Sequence, residues 1–158
     1  MEKIRNPFTR YEGYNCFGCC PGNPHGLQME FYEEGGQVVS LWEPRDHFQG
    51  YGTVLHGGIQ ATLMDEIASW AVFITYKTAG VTSRMDIRFL KPVRTNRGKI
   101  VLRASAMEKT GRLATIRVLL TDSRETLCTE ADIGYTLFSP EVARKKLAYP
   151  GYESFFER

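Results

Sequence analysis

One segment of the 158-residue chain, from about Gly57 to Tyr76, has the spacing of a long α-helix with almost no polar face. Gln60 aside, its polar residues fall within a stripe of about 100° when successive residues are placed 100° apart. These polar residues are Thr62, Asp65, Glu66 and Ser69. A helix that is apolar in every other direction is buried. We therefore expect other elements to surround this helix and its polar stripe to face a specific partner.

The segments on either side of this helix are predicted to be β-strands. Two runs that precede it, Leu27–Glu33 and Gln37–Glu43, flank a Glu-Gly-Gly turn, which predicts a hairpin. The strand-like runs that follow it are Val81–Leu90, Lys99–Glu108, Ala114–Thr121 and Thr126–Phe138. In the last run, one face carries Thr129, Ala131, Ile133, Tyr135 and Leu137. A single sheet that curls around one central helix accounts for this order and predicts an α+β fold.

The two ends of the chain are predicted to lie outside this sheet. Residues 1–26 contain many turn-forming residues and few periodic apolar positions, which predicts an irregular N-terminal segment. Residues 27–140 are then the domain itself, and residues 141–158 a C-terminal tail. Within that end of the chain, Pro140–Leu147 is predicted to be a short helix, and the aromatic residues of Tyr149–Phe156 are expected to dock on a surface.

Length and composition predict one globular domain. A chain of 158 residues, 42% of them hydrophobic, can bury a core without disulfide or metal staples. No apolar run reaches the ~18 residues that span a bilayer, and the first residues contain no apolar signal-peptide core. We therefore expect a cytoplasmic protein that does not associate with membranes.

Positive charge is concentrated in one part of the sequence. Between Arg84 and Arg124 there are eleven Lys or Arg and three Asp or Glu, although the net charge of the chain is only +2. Such an excess indicates either the approach side for an anionic ligand or a solvated strand surface. A sequence pI of about 8.3 and the absence of a recognisable binding motif argue against a nucleic-acid partner.

Three of the four cysteines, Cys16, Cys19 and Cys20, lie close together, with His25 nearby. The C-x-x-C spacing is half of a common zinc site, but neither a second C-x-x-C nor an H-x₃₋₅-H follows. A zinc site built from these four residues alone would be cramped, and a disulfide is disfavoured in a reducing compartment. We therefore expect no metal site and interpret the cysteines as buried thiols that pack as small hydrophobic residues.

The sequence LHGGIQATLMDE, Leu55–Glu66, resembles the His-Gly-Gly…Leu-x-Asp signature of hotdog-fold acyl-CoA thioesterases, in particular the phenylacetyl-CoA thioesterase type. Further segments resemble members of that superfamily, in the same order along the chain: Cys16–Leu27, Phe48–Gly58 and Asp86–Arg94. The resemblance implies a hotdog fold, in which a curved antiparallel sheet wraps around one long central helix. It also implies an acyl-CoA substrate, no cofactor, and homodimers that often pair into tetramers.

Asp65 is the predicted catalytic carboxylate. Thioester hydrolysis needs a carboxylate that activates water or attacks directly, and donors for the oxygen that gains negative charge. Asp65 lies in a nearly all-apolar helix, where an ionised side chain needs partners or a function. From the residues alone, a structural carboxylate held by partners is an equal alternative, and the resemblance to the motif favours catalysis. The resemblance does not assign this role to Glu66.

The start of the helix is predicted to bind the thioester oxygen. The first N–H groups of a helix have no internal partner, and the helix dipole favours negative charge there. Gly57 and Gly58 leave room for a substrate, although packing at the helix entry is an alternative explanation for them. We expect His56 either to hold this loop by hydrogen bonding or to contact the thioester oxygen.

The spacing of these residues predicts a shared site. Gly58 and Asp65 are seven residues apart, which places them about 10 Å apart along one helix axis. One helix cannot easily bring both to a single reaction centre, whereas a two-fold partner that runs antiparallel can. We therefore expect a homodimer and, from the resemblance, a dimer of dimers.

The resemblance also selects residues around this centre. Family members place a polar side chain near the start of the strand after the helix, which selects Thr82, with Ser83 on the opposite face. Gln49 lies beside the position at which many relatives carry an Asn amide. The basic excess, and not the resemblance, selects Arg94 and Arg97: they lie in the turn after the long strand and are predicted to contact the phosphates of coenzyme A, with a merely solvated turn as the alternative. The sequence therefore predicts hydrolysis of an acyl-CoA thioester to the free acid and coenzyme A. The alternative is a hotdog protein that binds acyl-CoA without turnover.

Overall fold

The computed structural model describes residues 1–156. One seven-stranded antiparallel sheet dominates it, with strand order β1-β2-β3-β5-β6-β7-β4. The strands are β1 Glu2–Ile4, β2 Phe31–Glu34, β3 Gln37–Trp42, β4 Gly80–Phe89, β5 Ile100–Thr110, β6 Leu113–Thr121 and β7 Leu127–Leu137. The α-helices are α1, Gly57–Thr75, and α2, Pro140–Leu147. This architecture confirms the predicted hotdog fold.

α1 is the central helix that the apolar pattern predicts. It packs against β3, β4, β5, β6 and β7, so that one sheet covers most of its surface. Its buried apolar residues are Leu63, Met64, Ile67, Ala68, Trp70, Ala71 and Val72. Gln60 is also buried, and its amide group donates to the Leu55 carbonyl and accepts from the Thr129 hydroxyl. The helix therefore keeps its few polar groups only where each has a partner or faces a site.

β4 forms one edge of the sheet. It is ten residues long and pairs with β7 on one side only among residues 1–156. Apolar side chains at its two ends are exposed, with Val81 at 44% and Phe89 at 55%. A long edge strand with exposed apolar side chains presents unpaired N–H and C=O groups to another chain. β4 is therefore an edge strand that the described residues leave unpaired on one side.

The prediction that residues 1–26 are irregular was wrong at the start of the chain. β1 pairs with β2 and extends the sheet, and Pro7–Arg10 form a 3₁₀ turn capped by the Asn6 side chain. A strand of three residues is too short to show an alternating pattern, and its partner lies far along the sequence. The first predicted strand, Leu27–Glu33, also begins too early, because the backbone pairing of β2 starts only at Phe31.

The C-terminal prediction was confirmed. α2 spans Pro140–Leu147, and its first turn is capped by the Ser139 hydroxyl, which accepts from the Val142 N–H at 3.3 Å. Tyr149 and Phe155 are buried against the aromatic ring of Phe73 on α1. The tail therefore covers the end of α1 that the sheet leaves open. Within residues 1–156, neither helix has both the length and the hydropathy to cross a bilayer.

Candidate active site

Asp65 is fixed by two hydroxyl groups from the sheet. Its Oδ1 accepts from the Thr82 hydroxyl at 2.8 Å and lies 2.6 Å from the Tyr135 hydroxyl. The Tyr135 hydroxyl also lies 2.7 Å from the main-chain oxygen of Asp65. No hydrogen bond within residues 1–156 reaches Oδ2 of Asp65, which is only half-buried. One carboxylate oxygen is thus held in place while the other is available to a water molecule or a substrate.

Tyr135 is the functional residue that the sequence did not reveal. It lies on the inward face of β7 and is 1% exposed, and its hydroxyl reaches a helix residue seventy positions away. Burial, and then the charge of Asp65, raise the pKa of Tyr135, so its hydroxyl stays protonated and can donate. The alternating pattern placed Tyr135 correctly among inward-facing residues. The only sequence signal of a polar partner for Tyr135 was the presence of a phenol on a mostly apolar face.

His56 caps the start of α1 and changes the predicted set of oxyanion donors. Its Nδ1 accepts from the Gly58 N–H at 2.9 Å, so that amide already has a partner. The expectation that Gly58 offers a free N–H was therefore wrong, because a helix N–H can be satisfied by the side chain two residues earlier. The Gly57 N–H donates to no other group within residues 1–156 and points out of the helix start. His56 acts as the residue that holds this turn.

The loop before α1 is closed by main-chain hydrogen bonds. The His56 N–H donates to the Phe48 carbonyl at 3.0 Å, and Gln49 pairs with Leu55 in an isolated bridge. The Gln49 side chain is exposed near the helix start, and no hydrogen bond within residues 1–156 fixes it. A side chain at position 50 would approach the His56 main chain at 3.5 Å. This loop thus sets the position of His56 and, through it, of the first turn of α1.

The predicted substrate-binding residues lie in different surroundings. Ser83 is the extra residue of a bulge between β4 and β7, and its hydroxyl donates to the Gly134 carbonyl at 3.1 Å. Arg94 pairs with Val54 in a bridge and donates to the Thr53 hydroxyl at 3.4 Å, which places it beside the loop that leads to His56. Arg97 is exposed in the turn that follows.

Part of the basic excess between Arg84 and Arg124 is neutralised by acids from elsewhere in the chain. Arg103 pairs with Glu34 at 2.8 Å, and Arg117 pairs with Asp132 at 2.9 Å. These pairs hold the pKa of Glu34 and of Asp132 below their usual values. The basic stretch is therefore not one continuous positive surface, and the arginines outside these pairs are the better candidates for an anionic ligand.

Glu66 follows Asp65 in sequence but lies in a different environment. Its Oε1 accepts from the Trp70 indole at 3.2 Å and from the Cys16 thiol at 3.6 Å. Burial, and then the neighbouring Cys16, raise the pKa of Glu66 to about 7. Of the four cysteines, Cys19, Cys20 and Cys128 are buried as expected, but Cys16 is only half-buried. The polar stripe of α1 thus faces two separate sites.

Comparison with known proteins identifies the family. Residues 52–129, which hold the loop, α1 and the next three strands, match the family profile described as "Thioesterase superfamily". A protein of Saccharolobus solfataricus named "Putative esterase SSO1253" is 31% identical over 107 residues, covering 67% of this chain and 69% of that protein. The chain belongs to the thioesterase superfamily. Asp65, Thr82 and the start of α1 all lie within the matched region.

Solved structures of the thioesterase superfamily share the fold. RHA08564, described as a thioesterase superfamily protein, superposes with a TM-score of 0.69 at 20% identity, covering 73% of this chain and 57% of that one. The protein smu.793 of Streptococcus mutans UA159, solved bound to acetyl CoA, superposes with a TM-score of 0.66 at 19% identity, covering 83% of this chain and 98% of that one. At these identities the likeness shows a common fold.

Proposed function

We propose that this protein hydrolyses an acyl-CoA thioester to the free acid and coenzyme A, with Asp65 as its catalytic carboxylate. The observation that carries the proposal is the asymmetry of this carboxylate. Oδ1 is held by Thr82 and Tyr135, whereas no hydrogen bond from the described residues reaches Oδ2 of this half-buried residue. A carboxylate that is oriented at one oxygen and free at the other is suited to take a proton from water or to attack a carbonyl.

The chemistry follows from these positions. With Asp65 as general base, Oδ2 takes a proton from water while the water oxygen forms a bond to the thioester carbon. The carbonyl oxygen gains negative charge and is stabilised by the free Gly57 N–H at the positive end of the α1 dipole. The C–S bond then breaks, and the proton on Asp65 passes to the departing sulfur. If Asp65 attacks directly, an acyl anhydride forms with loss of the thiolate, and water hydrolyses it.

The site requires a second copy of the chain. Gly57 and Asp65 are eight residues apart on one helix, about 12 Å along its axis, so the two cannot both contact one thioester. The exposed edge strand β4 runs beside α1 and carries Thr82, which holds Asp65. Pairing of two β4 strands around a two-fold axis would bring the Gly57 of one chain towards the Asp65 of the other. We propose this homodimer, further paired as a dimer of dimers, as the active form.

Arg94 and Arg97 are proposed to bind the phosphates of coenzyme A. Arg94 contacts the loop that leads into the oxyanion site, and both lie outside the ion pairs that occupy Arg103 and Arg117. A guanidinium group matches phosphate in charge and in geometry. The acetyl CoA bound to the structural neighbour smu.793 supports a ligand of this class.

A thiol-release assay with a panel of acyl-CoA substrates tests the proposal. We expect wild-type turnover on at least one acyl-CoA and a loss of about 10²–10⁴-fold in Asp65→Asn, the usual contribution of general-base assistance. Glu108→Gln, a carboxylate-to-amide change at an exposed position on β5, is the matched control and is expected to keep wild-type activity.

Two outcomes would overturn the proposal. Tight acyl-CoA binding without thiol release by the wild-type protein would identify a binding protein and not a hydrolase. Turnover of Asp65→Asn within a few-fold of wild type would remove Asp65 from the mechanism.

A further inference from the structure

Three potential metal ligands meet on the side of α1 that the proposed hydrolysis does not use. The Sγ atoms of Cys16 and Cys19 and a carboxylate oxygen of Glu66 all lie within 4.8 Å of one another. The two cysteines come from the N-terminal segment and the carboxylate comes from the middle of α1, fifty residues later. Zinc binds thiolates at about 2.3 Å and carboxylate oxygens at about 2.0–2.2 Å. Three ligand atoms around one ion would therefore be separated from one another by distances similar to those observed here.

We propose that Cys16, Cys19 and Glu66 bind a thiophilic divalent cation, Zn²⁺ by preference. Two thiolates and one carboxylate suit Zn²⁺, whereas Mg²⁺ and Ca²⁺ take oxygen ligands. Both sulfurs bind as thiolates, so two S–Zn bonds form, any proton still held by a ligand is released to solvent, and the carboxylate is the third ligand. Neither Cys20 nor His25, which the sequence placed near this motif, belongs to the cluster among the described residues.

Groups around the cluster orient each ligand. Hydrogen bonding from the Cys19 side chain, and then from the main-chain N–H groups of Cys19 and Gly18, lowers the pKa of Cys16 and so favours its thiolate. The Tyr14 hydroxyl lies 2.9 Å from the Cys19 Sγ and accepts from the Asn6 amide at 3.2 Å, so its own proton is available for the sulfur. The Trp70 indole fixes Oε1 of Glu66. Such outer hydrogen bonds are a regular feature of protein metal sites, because they orient the ligands.

Gly18, between the two cysteines, supplies an independent indication that Glu66 must approach this turn. A Cβ at position 18 would lie 2.5 Å from the Glu66 carboxyl group, closer than real side chains permit. The backbone at Gly18 has no positive φ, so its conformation would accept other residues. A larger residue at position 18 would therefore displace the Glu66 carboxylate, and the space that glycine leaves is filled by that carboxylate.

The charges at the site call for a cation. When ionised, the cluster carries three negative charges, and burying such charges without compensation is costly. The cluster opens on a groove of about 450 Å³, and no Lys, Arg or His is among the described residues that line it. A divalent ion supplies the missing positive charge. The fourth position of a tetrahedral site would face the groove and take a water molecule or another ligand.

This cation would join the N-terminal segment to α1. Residues 11–30 form no helix or strand and run from the 3₁₀ turn to β2. Their links to α1 include the bond between Cys16 and Glu66. Metal binding to such a segment contributes directly to folding stability, because the unfolded chain lacks the assembled site. The site is thus expected to fix the N-terminal segment and the groove beside Trp70.

Metal content and cobalt substitution test the proposal. Protein expressed with zinc present should contain one Zn²⁺ per chain, and metal-free reduced protein should bind Co²⁺ with the charge-transfer absorption of thiolate ligands. Cys16→Ser, Cys19→Ser and Glu66→Gln should each weaken Zn²⁺ binding by more than about 100-fold, since even outer-sphere partners contribute about 10–100-fold. Tyr14→Phe should weaken Zn²⁺ binding only by about 10–100-fold, because Tyr14 contacts a ligand and not the ion. The matched controls Cys20→Ser and Cys128→Ser replace thiols outside the cluster and should keep full stoichiometry.

Several results would overturn it. Absence of thiolate-to-cobalt absorption in fully reduced wild-type protein would show that no such site forms, whether or not the variants fold. Equal metal loss in Cys20→Ser would point to a different ligand set. Conversion of Cys16 and Cys19 to a disulfide, without metal uptake after reduction, would identify a redox pair in place of a metal site.

Discussion

Asp65 and Glu66 are adjacent carboxylates on one helix, yet the structure gives them opposite surroundings. Asp65 faces hydroxyl groups of β4 and β7 near an exposed sheet edge, whereas Glu66 faces thiols and an indole beneath the N-terminal segment. Successive helix residues point about 100° apart, which is enough to place them on different sides of α1. The difference shows that one polar stripe on a buried helix can face two separate environments.

The two sites also differ in what completes them. Thr82 and Tyr135 hold Asp65, but its proposed oxyanion donor lies about 12 Å away along the same helix, so we propose that a second chain completes the site. The Glu66 site draws all three proposed ligands from one chain. Oligomeric state should therefore affect hydrolysis directly and metal binding little. The predictions below test this contrast.

Subunit complementation should give the largest effect. Asp65→Asn and Gly57→Val homomers should each retain under about 1% of wild-type activity, the first by loss of the base and the second by covering the oxyanion site. Random pairing of equal amounts should restore about one quarter, because half of the dimers then hold one intact site. Gly57→Ala is the control, since its Cβ would meet Phe89 at an ordinary 3.5 Å. Mixed dimers that stay as inactive as their parents would rule out a shared site.

Removal of the Tyr135 hydroxyl should lower kcat by about 10–100-fold, because a hydrogen bond to a charged group contributes about 1.5–3 kcal/mol. The ring remains in Tyr135→Phe, so packing on β7 is preserved. Thr82→Val should have a smaller effect, because its hydroxyl is exposed and water can replace it. Metal content should be unchanged in both variants. Unchanged kcat in Tyr135→Phe would show that Asp65 does not need this donor.

Cys16 should be the most reactive thiol once metal is removed. Hydrogen bonding from Cys19 and from main-chain N–H groups lowers the pKa of Cys16 to about 5, whereas burial raises that of Cys128. At pH 6 iodoacetamide should modify Cys16 at least about tenfold faster than Cys20 or Cys128, because the thiolate is the nucleophile. The rate should fall only as pH drops through about 5, and Zn²⁺ should suppress it. A rate midpoint near 8.5, that of an ordinary thiol, would contradict the geometry of this turn.

Replacement of Arg94 and Arg97 together by alanine should have the smallest effect. KM for acyl-CoA should rise about threefold to tenfold with kcat nearly unchanged, because exposed ion pairs contribute roughly 0.2–1 kcal/mol each. The effect should shrink with added salt and disappear for a short thioester that lacks the nucleotide. Lys109→Ala, which removes an exposed charge at the far end of β5, is the control. An equal loss on the short thioester would assign both arginines a structural role.

Local pattern was sufficient for most of the fold and for half of the Asp65 site. The apolar circumference of α1 and the alternation of β7 predicted a sheet wrapped around a helix, and the motif selected Asp65 and Thr82. The fold was predicted correctly because helix and strand patterns depend on neighbouring residues in the sequence. The structure brings Asp65 and Thr82 together, and their catalytic roles stay predictions that rest on the family resemblance.

What the sequence did not reveal depends on distant residues or on side-chain direction. Tyr135 and Asp65 are seventy residues apart, and Cys16 and Glu66 are fifty apart, so no spacing rule joins either pair. No second pair of ligands with zinc-site spacing follows Cys16 and Cys19 in the sequence, so the motif by itself did not indicate a site. His56 and Gly58 are close in sequence, but the hydrogen bond between them depends on the side-chain orientation of His56, which the sequence does not show.

A parallel measurement of hydrolysis and metal content in Asp65→Asn and Glu66→Gln tests the separation of the two sites most directly. We expect Asp65→Asn to keep one Zn²⁺ per chain while losing about 10²–10⁴-fold in thiol release. Glu66→Gln should lose its metal while its folded fraction keeps hydrolysis within about tenfold of wild type, well above Asp65→Asn. Loss of both properties together in either variant would contradict the account, because it would show that the two carboxylates serve one site.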